Sequence, residues 1–76
     1  MSTEPKADLL PHQQRVIEER RDLEERLSKL RAFIGTPLYD QQDKGEKLDL
    51  LNQACWMINY LACLDRRIAR FTEAAA

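Results

Sequence analysis

"LLNQACWMINYLACLDRRIARF", residues 50–71, is the stretch that decides the fold of this chain. Its apolar residues recur at alternating spacings of four and three. They are Leu50, Ala54, Met57, Leu61, Leu64, Ile68 and Phe71. A stripe with this spacing is typical of an α-helix that packs lengthwise against another helix. We therefore predict a long amphipathic helix here, which begins after a capping box formed by Asp43 and Glu46.

A second helix is predicted upstream of this one. Its apolar residues also follow the helical period, namely Val16, Leu23, Leu27, Leu30 and Ile34. Asp8 is a suitable N-cap for it, and Pro11 then falls within the first turn, where a missing N–H is tolerated. We expect the helix to end at Gly35, which would adopt the left-handed conformation of a C-terminal cap. Pro37 is a second stop signal, because it cannot continue the helix.

The segment between the two helices is "TPLYD", residues 36–40, which predicts one short helical turn with Thr36 as its cap. Folding the chain back at this point lays the two stripes against each other. The register opposes Ile34 to Leu50, Leu30 to Ala54, Leu27 to Met57, Leu23 to Leu61 and Val16 to Ile68. Arg20 falls opposite Leu64, and we expect its charge to reach outwards from the seam.

The predicted fold is all-α: an antiparallel two-helix hairpin with a short N-terminal extension and a short helical turn in the connection. Residues 8–71 form its one domain, residues 1–7 are expected to be disordered, and residues 72–76 to be a frayed tail. A further apolar strip lies off the first seam, made of Ile17, Phe33, Leu51, Cys55, Trp56, Ile58 and Tyr60. Two helices cannot cover this strip, which predicts assembly into a homo-oligomeric helical bundle.

The composition argues against several classes of function. The chain has 76 residues, with 12 basic against 13 acidic ones and a net charge of -1. Duplex DNA and anionic membranes favour a large positive excess, so we expect neither as a partner. No apolar run approaches the roughly 20 residues of a membrane span. There is no C-x-x-C motif, and the one histidine has no neighbouring ligand set, so we expect no metal and no cofactor.

The cysteines indicate the compartment of the protein, and the missing catalytic motifs indicate its class of function. Cys55 and Cys63 are eight apart on one helix, too far for a disulfide within it, and two unpaired thiols fit a reducing cytosol. The sequence offers no nucleophile with its base, no paired-carboxylate site and no glycine-rich phosphate loop. We therefore predict a binding protein rather than an enzyme.

One end of the predicted hairpin is basic. Arg66, Arg67 and Arg70 lie near the end of the second helix, which the register returns to His12 and Arg15 at the start of the first. A helix N-terminus attracts anions, and the planar fork of arginine grips phosphate with two hydrogen bonds. A site for a small phosphorylated ligand follows as a hypothesis. In the alternative interpretation, the arginines only complement the helix dipole and pair with nearby carboxylates.

Several short stretches follow one another in a fixed order with fixed gaps along the chain. They are "QQRV" at 13–16, "LEERLSKLRAFI" at 23–34, "LLNQ" at 50–53, Met57, Tyr60, and "LDRRI" at 64–68. Together they cover most of the chain, from about His12 to Ile68. In these stretches the sequence resembles a known family, the small phage anti-CBASS proteins that sequester cyclic oligonucleotide signals.

This resemblance implies a compact hexamer of helical hairpins with ligand pockets between protomers. Members bind cyclic dinucleotides in one kind of pocket, and some bind cyclic trinucleotides in another. They lower the free ligand concentration without cleaving the ligand, so that the bacterial effector stays silent, which places the protein in the cytoplasm of the infected host. A structural or adaptor hairpin that pairs with a different helical chain is the alternative.

The resemblance also implies roles for particular residues. His12 occupies the place of an aromatic residue that stacks on a base, and Arg67 matches the arginine of the family's "RI" pair. Arg26 corresponds to a lysine within the first helix, with Ser28 close by. Together with Arg15 from the charge argument, these residues form the predicted binding set. Histidine for an aromatic weakens stacking, and arginine for lysine replaces a point charge by a fork.

Overall fold

The computed structural model describes residues 9–75. This part of the chain forms three helices: α1 (Pro11–Ile34), α2 (Pro37–Asp40) and α3 (Lys44–Ala75). No strand occurs among the described residues, which confirms the all-α prediction. The predicted disordered segment, residues 1–7, lies outside the described residues.

The first helix starts two residues later than predicted. Its N-cap is Leu10, whose φ of -73° and ψ of 156° are extended, while Asp8 lies outside the described residues. Pro11 explains this start, because a proline disfavours helical geometry at the residue before it. The Gln13 side chain accepts a hydrogen bond from the Leu10 N–H at 2.9 Å and so supports the first turn.

The end of α1 also differs from the prediction. Gly35 has a φ of -84°, so it is not in the left-handed conformation. The helix ends because Thr36 is extended, with φ -104° and ψ 158°, as the following Pro37 favours. The Thr36 hydroxyl donates to the Phe33 carbonyl at 2.6 Å and accepts from the Tyr39 N–H, so it closes one helix and caps the next, as predicted for α2.

Tyr39 ties the connection to both long helices. Its side chain is buried, and its ring meets Phe33 of α1 edge-on, with 6.2 Å between ring centroids. Its hydroxyl donates to the Lys47 carbonyl in the first turn of α3 at 3.2 Å. The short helical turn therefore fixes how α3 leaves α1.

The third helix begins where a cap was predicted and extends beyond the expected domain boundary. The Asp43 carboxylate accepts a hydrogen bond from the Glu46 N–H at 2.8 Å. The helix then continues past Phe71, where we placed the end of the domain, and reaches Ala75. In this last stretch the Thr72 hydroxyl donates to the Ile68 carbonyl at 2.7 Å.

The core lies between α1 and α3, along the two predicted stripes. Leu64 is fully buried, and Val16 and Leu23 pack with it from α1. The other members of this cluster are half-buried residues of α3, namely Met57, Leu61, Ile68 and Phe71. Val16 and Ile68 belong to one cluster, as the antiparallel register requires.

Arg20 interrupts the apolar seam and makes a contact that was not predicted. Its Nε donates to Asp65 Oδ1 on α3 at 2.7 Å, and its Nη1 pairs with Glu24 on its own helix. The hydrogen bond to Asp65 raises the pKa of the Arg20 guanidinium above its ordinary value. Arg20 therefore reaches across the helix pair rather than only into solvent, and the pair reinforces the register.

Candidate anion-binding grooves

A groove opens where the first turn of α1 meets the last turns of α3, and we call it the basic groove. Its lining residues are His12, Gln13, Val16, Arg67, Arg70 and Phe71, around a volume of about 300 Å³. Val16 and Phe71 form an apolar floor that continues the core, while both arginines and His12 are exposed. The groove therefore combines cationic walls with an apolar base.

The charge of the basic groove suits an anion. Arg67 and Arg70 line it, and among residues 9–75 no carboxylate lines it. The N-terminal end of α1, a helix of 24 residues, adds the positive end of a helix dipole. Guanidinium groups bind phosphate oxygens in pairs, so the groove can take a phosphodiester at its rim and an apolar or planar group on its floor.

A second groove, here named the central groove, runs beside the middle of α1. Its lining residues are Arg15, Glu18, Glu19, Asp22, Leu23, Arg26 and Tyr60, around about 360 Å³. Two arginines face three carboxylates here, so the formal charge of the lining is -1. In the single hairpin this groove is a poorer anion site than the basic groove, because its carboxylates repel phosphate.

The predicted binding residues fall into three places. His12 and Arg67 meet in the basic groove, as the hairpin register suggested. Arg15 and Arg26 share the central groove, so Arg15 does not line the basic groove in the single hairpin. Ser28 lines neither groove, since two residues along a helix turn the side chain about 160° away from Arg26.

Sequence reasoning left some of the groove residues out of the binding set. Arg70 was part of the basic cluster but not of that set, and Phe71 was assigned only to the core seam. Helical spacing could have identified both residues. Arg70 and Phe71 follow Arg67 by three and four residues, so all three lie on one side of the last turns. Arg66 was expected at this site, yet it is exposed and lines neither groove.

Other kinds of site find no support in residues 9–75. In that range no group of three or more His, Cys, Asp or Glu side chains could hold a metal ion. Cys55 and Cys63 are both exposed free thiols. Within the same range, none of the helices has the length and apolar character to cross a membrane.

Comparison with known proteins gives one match. The family model described as Sequestin matches residues 10–70, a span that contains both grooves apart from Phe71. Neither the curated proteins nor the solved structures contain a match. The matched span covers most of the 76 residues and agrees with the resemblance to the anti-CBASS sponges. The chain therefore belongs to the Sequestin family.

Proposed function

We propose that this protein binds and sequesters cyclic oligonucleotide second messengers, cyclic dinucleotides and also cyclic trinucleotides, without cleaving them. By lowering the free concentration of the signal, it keeps a bacterial CBASS anti-phage effector inactive in the cytoplasm of the infected host. Membership of the Sequestin family supports a sequestering role. The ligand class rests on the chemistry of the grooves and on the resemblance drawn from the sequence.

The basic groove is the observation that carries this proposal. Cyclic oligonucleotides present two chemical features, negatively charged phosphodiesters and flat bases. Arg67 and Arg70 supply guanidinium forks for the phosphates, and His12 adds a ring that can stack on a base or donate to an oxygen. Phe71 supplies apolar surface for a base.

The central groove supports binding only when its carboxylates are compensated. Arg15 and Arg26 lie there beside Tyr60, whose side chain is 44% exposed. A neighbouring protomer that covers Tyr60 and brings further cations would convert this mixed groove into an anion site. We therefore place the second kind of pocket between protomers of a homo-oligomer, which the resemblance gives as a hexamer.

We also propose that the bound ligand is not cleaved. Phosphodiester hydrolysis needs a metal or a base aimed at water. His12 is the only histidine of the chain, and within the described range, residues 9–75, no carboxylate lines its groove to orient it as a base. Binding alone then has to be tight: against a micromolar signal, a nanomolar dissociation constant corresponds to about 12 kcal/mol of binding free energy.

Calorimetric titration with a panel of cyclic di- and trinucleotides tests the proposal. Arg67→Ala should weaken binding of at least one ligand class about tenfold to a hundredfold, because a hydrogen bond to a charged group is worth roughly 1.5–3 kcal/mol. Arg66→Ala is the matched control, since the adjacent arginine lines neither groove. Equal effects of the two substitutions, or no binding by the unmodified protein, would refute the proposal.

The alternative function, a structural or adaptor hairpin, draws on a different observation. Trp56 is 68% exposed on α3, and other large apolar side chains of this helix are also exposed. Such side chains suit a contact with another helical chain. Ultraviolet absorbance of the purified protein separates the two functions, because bound nucleotide moves the maximum towards 260 nm and a bound helical partner does not.

A further inference from the structure

His12 lies at the rim of the basic groove rather than on its floor. Its side chain is exposed, as are those of Arg67 and Arg70, whereas Val16 is buried and Phe71 packs against the core. The floor therefore supplies the apolar surface on which a base can rest. His12 lies with the two arginines among the groups that can meet a phosphate.

The backbone of the first turn of α1 has few donors left for an anion. Pro11 has no N–H group. The N–H groups of Gln13 and Gln14 both donate to the Leu10 carbonyl, at 2.9 and 3.0 Å. The attraction of this end of the hairpin for phosphate therefore depends on the side chains that line the groove.

The polar side chains of the groove offer hydrogen-bond donors to a ligand. Guanidinium groups carry N–H donors and no acceptor. The side-chain oxygen of Gln13 accepts from the Leu10 N–H at 2.9 Å, so its NH₂ group is what it can offer to a ligand. A neutral imidazole has one donor and one acceptor nitrogen, and both become donors on protonation. Because a phosphodiester offers only acceptors, protonation of His12 completes a lining that matches it.

The charged groups around His12 do not include an anion that would hold its proton. Arg67 and Arg70 face it from α3, and in the part of the chain that the structure describes no carboxylate lines the groove. Arg15, one turn further along α1, lines the central groove, and Glu73 of α3 is exposed and lines neither groove. A bound phosphodiester would therefore bring the negative charge that favours the imidazolium form.

We infer that His12 binds the ligand as the protonated imidazolium and donates to a phosphodiester oxygen beside Arg67 and Arg70. Ligand capture in the basic groove then takes up a proton from the solvent, and ligand release returns it. The inference rests on the proposed function. It decides between the two roles that the ring could have in the groove, since it assigns His12 to the phosphate rather than to stacking on a base.

The consequence is an affinity that depends on pH. Histidine is the side chain whose charge ordinarily changes between about pH 5 and 8, whereas arginines and phosphodiesters keep their charge in this range. The affinity should therefore rise as the pH falls. Between about pH 8 and pH 6 we expect a gain of about tenfold, because a hydrogen bond from a charged donor is roughly twice as strong as one from a neutral donor.

Isothermal titration calorimetry of the intact chain tests the inference, with cyclic di-AMP, cyclic di-GMP and cyclic tri-AMP as probes. The bases of these probes do not change charge between about pH 6 and 8, so any pH dependence belongs to the protein. At about pH 7, the binding enthalpy in buffers of different ionisation enthalpy gives the number of protons taken up. We expect net uptake, of at most one proton per groove, for each probe whose affinity Arg67→Ala lowers.

The single histidine of the chain makes the control variants sharp. His12→Phe removes every imidazole and keeps a ring that can stack, so it should lose both the proton uptake and the pH dependence. His12→Phe combined with Arg66→His moves the histidine to an exposed position that lines neither groove, and it should behave like His12→Phe. Circular dichroism at each pH checks that the variants remain helical.

Three results would overturn the inference. Binding that depends on Arg67 but takes up no proton and has equal affinity at both pH values would leave the proposed function standing and refute the role of His12. Proton uptake that persists in His12→Phe would assign the proton to another group. Absence of binding for all three probes at every pH would refute the proposed function and the inference together. The first of these results needs only the unmodified chain and Arg67→Ala, so it does not depend on the fold of the His12 variants.

Discussion

Replacement of Leu64 by alanine should be among the most damaging single changes to the hairpin. Leu64 has no exposed surface and lies in the cluster with Val16 and Leu23 of α1. Burying a leucine side chain contributes about 1.5–3 kcal/mol, and the cavity left by alanine adds to that loss. We therefore expect Leu64→Ala to lower the free energy of unfolding by roughly 3–5 kcal/mol.

A loss of this size is large for so short a chain. At about 0.05–0.15 kcal/mol per residue, 76 residues correspond to a total of roughly 4–11 kcal/mol. Urea denaturation followed by circular dichroism measures the loss, at one fixed protein concentration because self-association adds stability by mass action. The unfolding midpoint should fall steeply, and at the lower end of this range the variant is largely unfolded without denaturant.

Leu38→Ala provides the matched control, because the same atoms are removed from a leucine that is 55% exposed in α2. With about half of the side chain already in water, we expect a loss near 1 kcal/mol. Similar losses for Leu64→Ala and Leu38→Ala would refute the reasoning, since they would mean that α1 does not cover this face of α3.

Three further predictions concern contacts described above. A double-mutant cycle on Arg20→Ala and Asp65→Ala should give a coupling below about 1 kcal/mol that shrinks with salt, because the side chains are 32% and 49% exposed; a larger, salt-independent coupling would contradict this. Tyr39→Phe should lose about 0.5–1.5 kcal/mol of unfolding free energy with the hydrogen bond to the Lys47 carbonyl, and an unchanged urea midpoint would show that water replaces the bond. A cyclic dinucleotide incubated for hours with the protein and magnesium should be recovered intact by chromatography, whereas linear product would identify an enzyme.

The features that were predicted correctly repeat along the helices, whereas those that were predicted wrongly depend on single residues. The two apolar stripes predicted that α1 packs against α3 and that Val16 and Ile68 share one core, because burial repeats over many turns, so an error at one residue does not alter the pattern. The ends of α1 depended on single residues. Pro11 moved the N-cap from Asp8 to Leu10, and the extended Thr36, rather than a left-handed Gly35, produced the end.

The candidate site was predictable to the extent that it follows from the register. His12 and Arg67 were expected to meet, and they line one groove. Arg15 lines the central groove instead, because its position depends on the rotation of α1 about its own axis, which spacing alone does not give. The partner of Arg20 was missed because a long side chain can reach several residues on the facing helix.

The tie that Tyr39 makes has a consequence for the order in which the hairpin forms. Its contacts with Phe33 and Lys47 link residues only six and eight positions apart, so they can form early with little loop-closure entropy. We expect pairing to spread from the turn towards the opposite end, where His12 and Arg67 line one groove although 55 positions of sequence separate them. The basic groove should then be the end of the hairpin that closes last and opens first. Its backbone amides should exchange with solvent faster than those beside Tyr39, and a ligand that bridges α1 and α3 there would slow that exchange.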